Sequence, residues 1–173
     1  MKPPLAFPYA LNIGTDIVHL PRITRLLTRP SYLTRFTRRI LSETEQRDFR
    51  IRFSLPPGSS PTPQPRPEST PRMKDMRTES ETQFDAVNIT PDMARWLAGR
   101  FAAKEAARKA AVGGAVSVGW KGVVVRVGDG KAEGRPEVVY LDAEDGEEGG
   151  GKVGRLSISH DGEYVVATVL AAG

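Results

Sequence analysis

The sequence predicts an α+β fold in which an antiparallel sheet packs against one long helix, and three observations carry that expectation. An alanine-rich stretch from Pro91 to the Gly113-Gly114 pair has helical spacing, with Phe101 following Leu97 by one turn. After Gly122 the period changes to two, in β-branched runs. A single early run, Asn12 to Val18, sets Ile13, Thr15 and Ile17 against Gly14, Asp16 and Val18, so one strand from the start of the chain must join the late ones.

The elements follow in order. Pro21 opens a helix over Arg22 to Thr28, with Arg22, Arg25 and Arg29 on one side and Ile23, Leu26 and Leu27 on the other. Tyr32 to Ile40 makes a short helix, and Ser42 with Glu45 is a capping box that starts another, running to about Phe53. From Ser54 to Gln83 seven of the chain's 14 prolines accompany only three large apolar residues, Leu55, Met73 and Met76. Such a stretch cannot build a core, so it reads as a disordered insert, at about 54–83, in a single domain spanning 1–173. Thr90-Pro91 caps and begins the long helix. Gly122 to Val127 and Glu137 to Leu141 are strands, and Asp142 to Gly151 is an exposed acidic and glycine-rich loop. Leu156 to His160 and Tyr164 to Leu170 flank Asp161-Gly162-Glu163 and form a hairpin.

Composition excludes several classes of function. The chain has 173 residues, 39% hydrophobic and 27% charged, which suits one globular domain. Without cysteine it has no disulfide, no thiolate nucleophile and no cysteine-based zinc site. No apolar run approaches the ~20 residues of a membrane span, and Met1 to Leu11 resembles neither a signal nor a transit peptide, although a transit peptide could precede Met1. The basic excess is local: between Arg22 and Arg52 nine arginines face only Glu43, Glu45 and Asp48. An acidic partner should dock there. The aromatic and glycine interleaving of single-strand binders is missing, so nucleic acid is not expected.

Three separated pieces carry possible chemistry. Glu105 lies among Arg100, Lys104, Arg108 and Lys109 on the long helix; it either pairs with Lys109 one turn on, or holds a metal while the cations face an anion. Asp16 is a carboxylate within an apolar strand, either a turn cap or a ligand. Ser157-Ile158-Ser159-His160 alternates serines with apolar residues and ends in one of only two histidines. Two carboxylates from distant segments can share one Mg²⁺ whose other positions are filled by phosphates and water.

Gly14-Thr15-Asp16-Ile17-Val18 with Pro21-Arg22-Ile23, Leu41-Ser42-Glu43 with Glu45, Phe101-Ala102-Ala103-Lys104-Glu105-Ala106 with Lys109-Ala110, Gly134-Arg135-Pro136, and Ser157-Ile158-Ser159-His160 together resemble the 4′-phosphopantetheinyl transferases of the short, holo-acyl-carrier-protein synthase type. The match runs over nearly the whole chain outside the insert. The resemblance implies that family's α+β fold and transfer of the 4′-phosphopantetheine arm of coenzyme A to a serine of an acyl carrier protein, a step of fatty-acid biosynthesis. By resemblance Asp16 and Glu105 hold Mg²⁺; Arg100, Lys104, Lys109, Ser159 and His160 bind coenzyme A; Asp16, Glu105, Lys109 and His160 form the catalytic set. Arg22, with Arg25 and Arg29, docks the carrier. The base is Glu105 acting through a water, with His160 and a metal-bound water as the other candidates.

The chain departs from the family pattern at His19, where an acidic residue is usual, and at Arg108, where a serine is usual. Val18 stands where larger transferases carry a third carboxylate, which points to the short, homotrimeric type with sites between subunits. The Pro-rich insert is foreign to compact bacterial members and points to a eukaryotic source. The expected location is intracellular, with mitochondria favoured over cytoplasm. The rival reading is a non-catalytic docking module for acidic proteins, whose binding would survive loss of Asp16 and Glu105.

Overall fold

A computed structural model of the protein describes residues 8–55, 87–127, 134–142 and 150–173. The expected insert and acidic loop therefore lie almost wholly outside the described residues. Strand β1 (Leu11–His19) leads into helix α1 (Leu20–Leu27), α2 (Tyr32–Ile40) and α3 (Glu43–Arg52). The long helix α4 (Pro91–Ala110) follows, then two single 3₁₀ turns at Gly114–Val116 and Trp120–Gly122, and strands β2 (Val123–Val127), β3 (Pro136–Leu141), β4 (Gly151–Asp161) and β5 (Tyr164–Ala172). No described helix is long and apolar enough to cross a membrane.

Among the described residues the strands form one sheet in the order β1-β5-β4-β3-β2, antiparallel throughout. The early strand closes the sheet by pairing with the last one, Asp16 opposite Ala167 and Val18 opposite Val165. The β4–β5 hairpin pairs Asp161 with Tyr164, so its loop is only Gly162-Glu163. Gly162 takes φ +51°, the left-handed conformation that tight hairpins need and glycine supplies without steric cost.

Helix α4 crosses the sheet over β1 and β5, and its alanines are the contact face. Ala102, Ala103, Ala106, Ala107 and Ala110 are all buried there, with Val165, Ala167 and Val169 of β5 buried opposite. Small residues let the helix backbone lie close to the strands. At Gly14 the approach is closest: an added Cβ would run into the Ala106 carbonyl and lie 2.7 Å from the Ala110 nitrogen. The Tyr140 hydroxyl donates to the Ala107 carbonyl at 2.8 Å from the other side, and burial pushes its pKa up to about 12.

The helix starts follow local chemistry. The Thr90 hydroxyl accepts from the Met93 amide, and Pro91 occupies the first turn, where its missing N–H costs nothing. Ser42 and Glu45 form the expected capping box: the Glu45 amide donates to the Ser42 hydroxyl and the Ser42 amide to the Glu45 carboxylate. Helix α1 ends at Leu27, one residue earlier than expected, so Arg29 lies in the following turn and only Arg22 and Arg25 share the exposed face of the helix.

Candidate functional site

The Gly14 contact fixes β1 against the C-terminal half of α4, and this places Asp16 beside Lys109. The Lys109 ammonium donates to Asp16 Oδ1 at 2.8 Å and to the Thr15 carbonyl at 2.9 Å. Asp16 faces the helix because its neighbours Ile13, Thr15 and Ile17 take the other face of the strand. Its carboxylate is thus a lining group at the helix–strand edge and not a turn cap. Glu105 precedes Lys109 by one turn, but the Glu105–Lys109 pair, one of the two alternatives for this carboxylate, does not form. Lys109 is spent on Asp16, and Glu105 Oε1 instead accepts from Arg108 at 2.9 Å. Both Glu105 and Arg108 are largely buried.

Arg108 also donates from Nε to the Val118 carbonyl (2.8 Å) and from Nη2 to the Ala115 carbonyl (2.6 Å), and lies over the Trp120 ring at 4.8 Å. It straps the segment after α4 to the helix and does not extend into solvent as an additional anion-binding cation.

Lys104 is the clearest correction to the expected ligand set. Its side chain is 0% exposed and its ammonium donates to Glu45 Oε2 at 2.5 Å and to the Trp120 carbonyl at 3.1 Å. Glu45 in turn accepts from the Ser42 amide at 2.9 Å and, through Oε1, from the Val125 amide at 3.1 Å. The pair ties α3, α4, a 3₁₀ turn and β2 together in the core, so Lys104 presents nothing to a phosphate. Sequence reasoning saw only the capping role of Glu45; the missed signal is its position one turn before Phe49, on the buried side of α3.

Arg100 and His160 line one cavity of about 810 Å³ with Arg52, Arg95, Trp96 and Ile158. Burial pulls the Arg100 guanidinium below its usual range, while Glu45 and Asp48 pull the other way. The guanidinium lies over Trp96 at 4.6 Å, and its buried Nε has no hydrogen-bond partner among the described residues, a donor suited to an anion. Ser159 does not share this cavity. Successive residues of a strand point to opposite faces, so Ser159 lies with Ser157 on the far, exposed face of β4.

The cavity lining contains neither Asp16, Glu105 nor Lys109. Arg100 and Lys109 are nine residues, about two and a half helical turns, apart, which puts them on opposite sides of α4. Within one chain the site is therefore two half-sites, a carboxylate–lysine edge and a basic cleft. A second cavity, about 380 Å³, lies between α1, α2 and α4, with apolar walls that include Ile23, Phe36, Phe101 and Trp120 and with Arg22, Arg35 and Arg39 around it. Arg35 and Arg39 are a basic row that the sequence reading counted in the regional charge but did not assign.

The donor set fits Mg²⁺: Asp16 and Glu105 offer hard carboxylate oxygens at one edge, and an ion that keeps several waters and phosphate oxygens needs no more from the protein.

An antiparallel sheet thus lies under an alanine-faced helix that carries Glu105, Arg108 and Lys109 toward one side, with Asp16 beside them, and Arg100 toward the other. The family model of the 4′-phosphopantetheinyl transferase superfamily matches residues 12–169, and the chain belongs to that superfamily. It is 64% identical over 170 residues to 4′-phosphopantetheinyl transferase B, mitochondrial, of Aspergillus fumigatus, with 98% of each chain covered. It is 31% identical over 172 residues to holo-[acyl-carrier-protein] synthase of Gloeobacter violaceus, covering 94% of this chain and 92% of that one. A holo-(acyl-carrier-protein) synthase from Bacillus anthracis, crystallised in complex with CoA (3′,5′-ADP), superposes with a TM-score of 0.54 at 26% identity, over 94% of this chain and 96% of that one. The Neisseria meningitidis holo-[acyl-carrier-protein] synthase gives 0.53 at 28% identity, over 94% and 98%.

Proposed function

We propose that this transferase moves the 4′-phosphopantetheine group of coenzyme A to a serine of an apo acyl carrier protein and releases adenosine 3′,5′-bisphosphate. The observation that carries the assignment of residues is the Lys109 bridge from α4 to Asp16, which sets Asp16 against the helix one turn from Glu105. The serine oxygen attacks the pantetheine-side phosphorus, the bond to the adenosine-side phosphate breaks, and the serine proton leaves through a water held by Glu105. Asp16 and Glu105 would hold Mg²⁺, which would supply charge neutralisation for the diphosphate. Lys109 holds Asp16 in place and faces the same phosphates. Arg100 and His160 take the nucleotide's phosphate in the basic cleft.

Because Arg100 and Lys109 lie on opposite sides of α4, one coenzyme A reaches both kinds of half-site when a neighbouring subunit supplies the cleft. The outer sheet face suits such a neighbour: Ile13 is 69% and Ile17 63% exposed there. The assembly is a homotrimer. Arg22 and Arg25, with Arg29 in the turn and Arg35 and Arg39 beside them, receive the acidic carrier. The enzyme works in mitochondria on the carrier of fatty-acid biosynthesis; a 64%-identical relative carries that location in its name.

The test is the mass of an apo carrier after incubation with coenzyme A and Mg²⁺, which should rise by about 340 Da, the group moved in metal-assisted transfer. Asp16→Asn and Glu105→Gln should each cost about 10²-fold or more in kcat. Charge reversal at Arg22 should raise KM for the carrier and leave KM for coenzyme A unchanged. No mass gain with the intact enzyme and mitochondrial or bacterial carriers refutes the assignment.

A further inference from the structure

The two carboxylates assigned above to Mg²⁺ each carry a resident cation of the chain itself. Lys109 sits on Asp16 at 2.8 Å and Arg108 on Glu105 at 2.9 Å. The two cations differ in freedom. Lys109 is 45% exposed and can swing away. Arg108 is 19% exposed, and all three of its nitrogens are engaged, with Glu105, Val118 and Ala115, over the Trp120 ring. It cannot leave Glu105 without releasing the segment that it straps to the helix.

Among the described residues no third carboxylate or histidine gathers with these two into a metal-binding group. The edge thus holds two negative and two positive charges. An approaching divalent cation is attracted by the carboxylates and repelled by ammonium and guanidinium groups bonded to those same oxygens. Coenzyme A changes the balance, because its diphosphate brings negative charge and the oxygens with which Mg²⁺ completes its shell.

We propose that Arg108 is a resident counter-cation of Glu105 which, with Lys109 on Asp16, leaves the carboxylate edge charge-balanced in the free enzyme, so that the divalent cation enters together with the coenzyme A diphosphate and not ahead of it. The proposal rests on the assignment of Asp16 and Glu105 as the metal ligands. Arg108 is then a positioning residue, and it stands where the resembling family has a serine.

The experiment is a titration of the full chain with Mn²⁺, followed by the electron paramagnetic resonance of the unbound ion, with and without coenzyme A and with no carrier present. Mn²⁺ with coenzyme A alone is the blank. The wild-type enzyme should bind Mn²⁺ at least about tenfold more tightly with coenzyme A than without it. Arg108→Gln should raise the affinity in the absence of coenzyme A by about tenfold, whereas Arg108→Lys, which keeps the charge, should leave it at the wild-type value. If Arg108→Gln does not melt cooperatively, Lys109→Gln makes the same test of charge balance, because Lys109 straps no loop. Tight stoichiometric Mn²⁺ binding by the coenzyme-free wild type, or an unchanged affinity in a folded charge-removing variant, overturns the proposal and leaves the ligand assignment standing. No Mn²⁺ bound even with coenzyme A overturns the ligand assignment itself.

Discussion

Lys104→Met should be among the most destabilising single changes in this protein, and the reason is its partner. Glu45 is 1% exposed and accepts three hydrogen bonds, from Lys104, the Ser42 amide and the Val125 amide. Methionine fills the space of the lysine stem but removes the ammonium. The carboxylate then loses its hydrogen-bonded counter-charge and keeps only the more distant Arg100, and the Trp120 carbonyl loses its donor. Breaking a buried pair from one side costs about 3–5 kcal/mol, because the remaining charge keeps its desolvation penalty. At roughly 2–4 °C per kcal/mol for a chain of this length, Tm should fall by about 6–20 °C. The double variant Glu45→Gln with Lys104→Met removes both charges, although the one amide oxygen accepts from only one of the two backbone amides that Glu45 serves through separate oxygens. It should be more stable than Lys104→Met alone by at least about 1 kcal/mol. Urea unfolding of the wild type, both single variants and the double variant gives the coupling directly. A cost below about 1 kcal/mol for Lys104→Met, or single costs that simply add in the double variant, would show that the pair does not hold α3, α4 and β2 together in this way.

Gly14→Ala should cost about 1–3 kcal/mol by overpacking, because the added methyl group meets helix backbone at Ala106 and Ala110, which has no rotamer to yield. The same shift should pull Asp16 from Lys109, so activity should fall further than stability; a variant that melts and turns over like the wild type contradicts the close packing. Tyr140 gives a pH dependence. Its pKa rises from 10.0 in the open chain to about 12 in the fold, so the folded state keeps a proton that the unfolded state loses. Its contribution is complete below pH 10 and is lost as pH rises from 10 toward 12. Stability against urea should therefore drop less steeply across that window in Tyr140→Phe than in the wild type, and equal slopes would exclude the role.

Local chemistry made much of the fold legible. The capping box at Ser42, Thr90-Pro91 before α4, and Gly162 in a two-residue loop act over a few residues, so their sequence signatures transfer directly to structure. The site was legible only in part. Asp16 stands out because strands disfavour aspartate, and the fold does give it a partner, but that partner, Lys109, is as well spaced to pair with Glu105 along the helix. A helix offers a lysine several partners at short spacing, and only the crossing of β1 over α4 decides among them. Lys104 and Glu45 lie 59 residues apart, and nothing in either local pattern announces that the two ions are buried together.

The sequence by itself determined which segments are helix and strand and that the first strand must join the last ones, and it pointed to carboxylates, arginines and a histidine as candidates for phosphate chemistry. These depend on periodicity, capping and charge, all properties of neighbouring residues. Only the tertiary structure decided how the cations divide: Lys109 to Asp16, Arg108 to Glu105, Lys104 to the core, and Arg100 to a cleft on the far side of the helix. The physical reason is that an ion pair is set by distance and burial, and residues far apart in the chain acquire both only when the sheet and α4 pack.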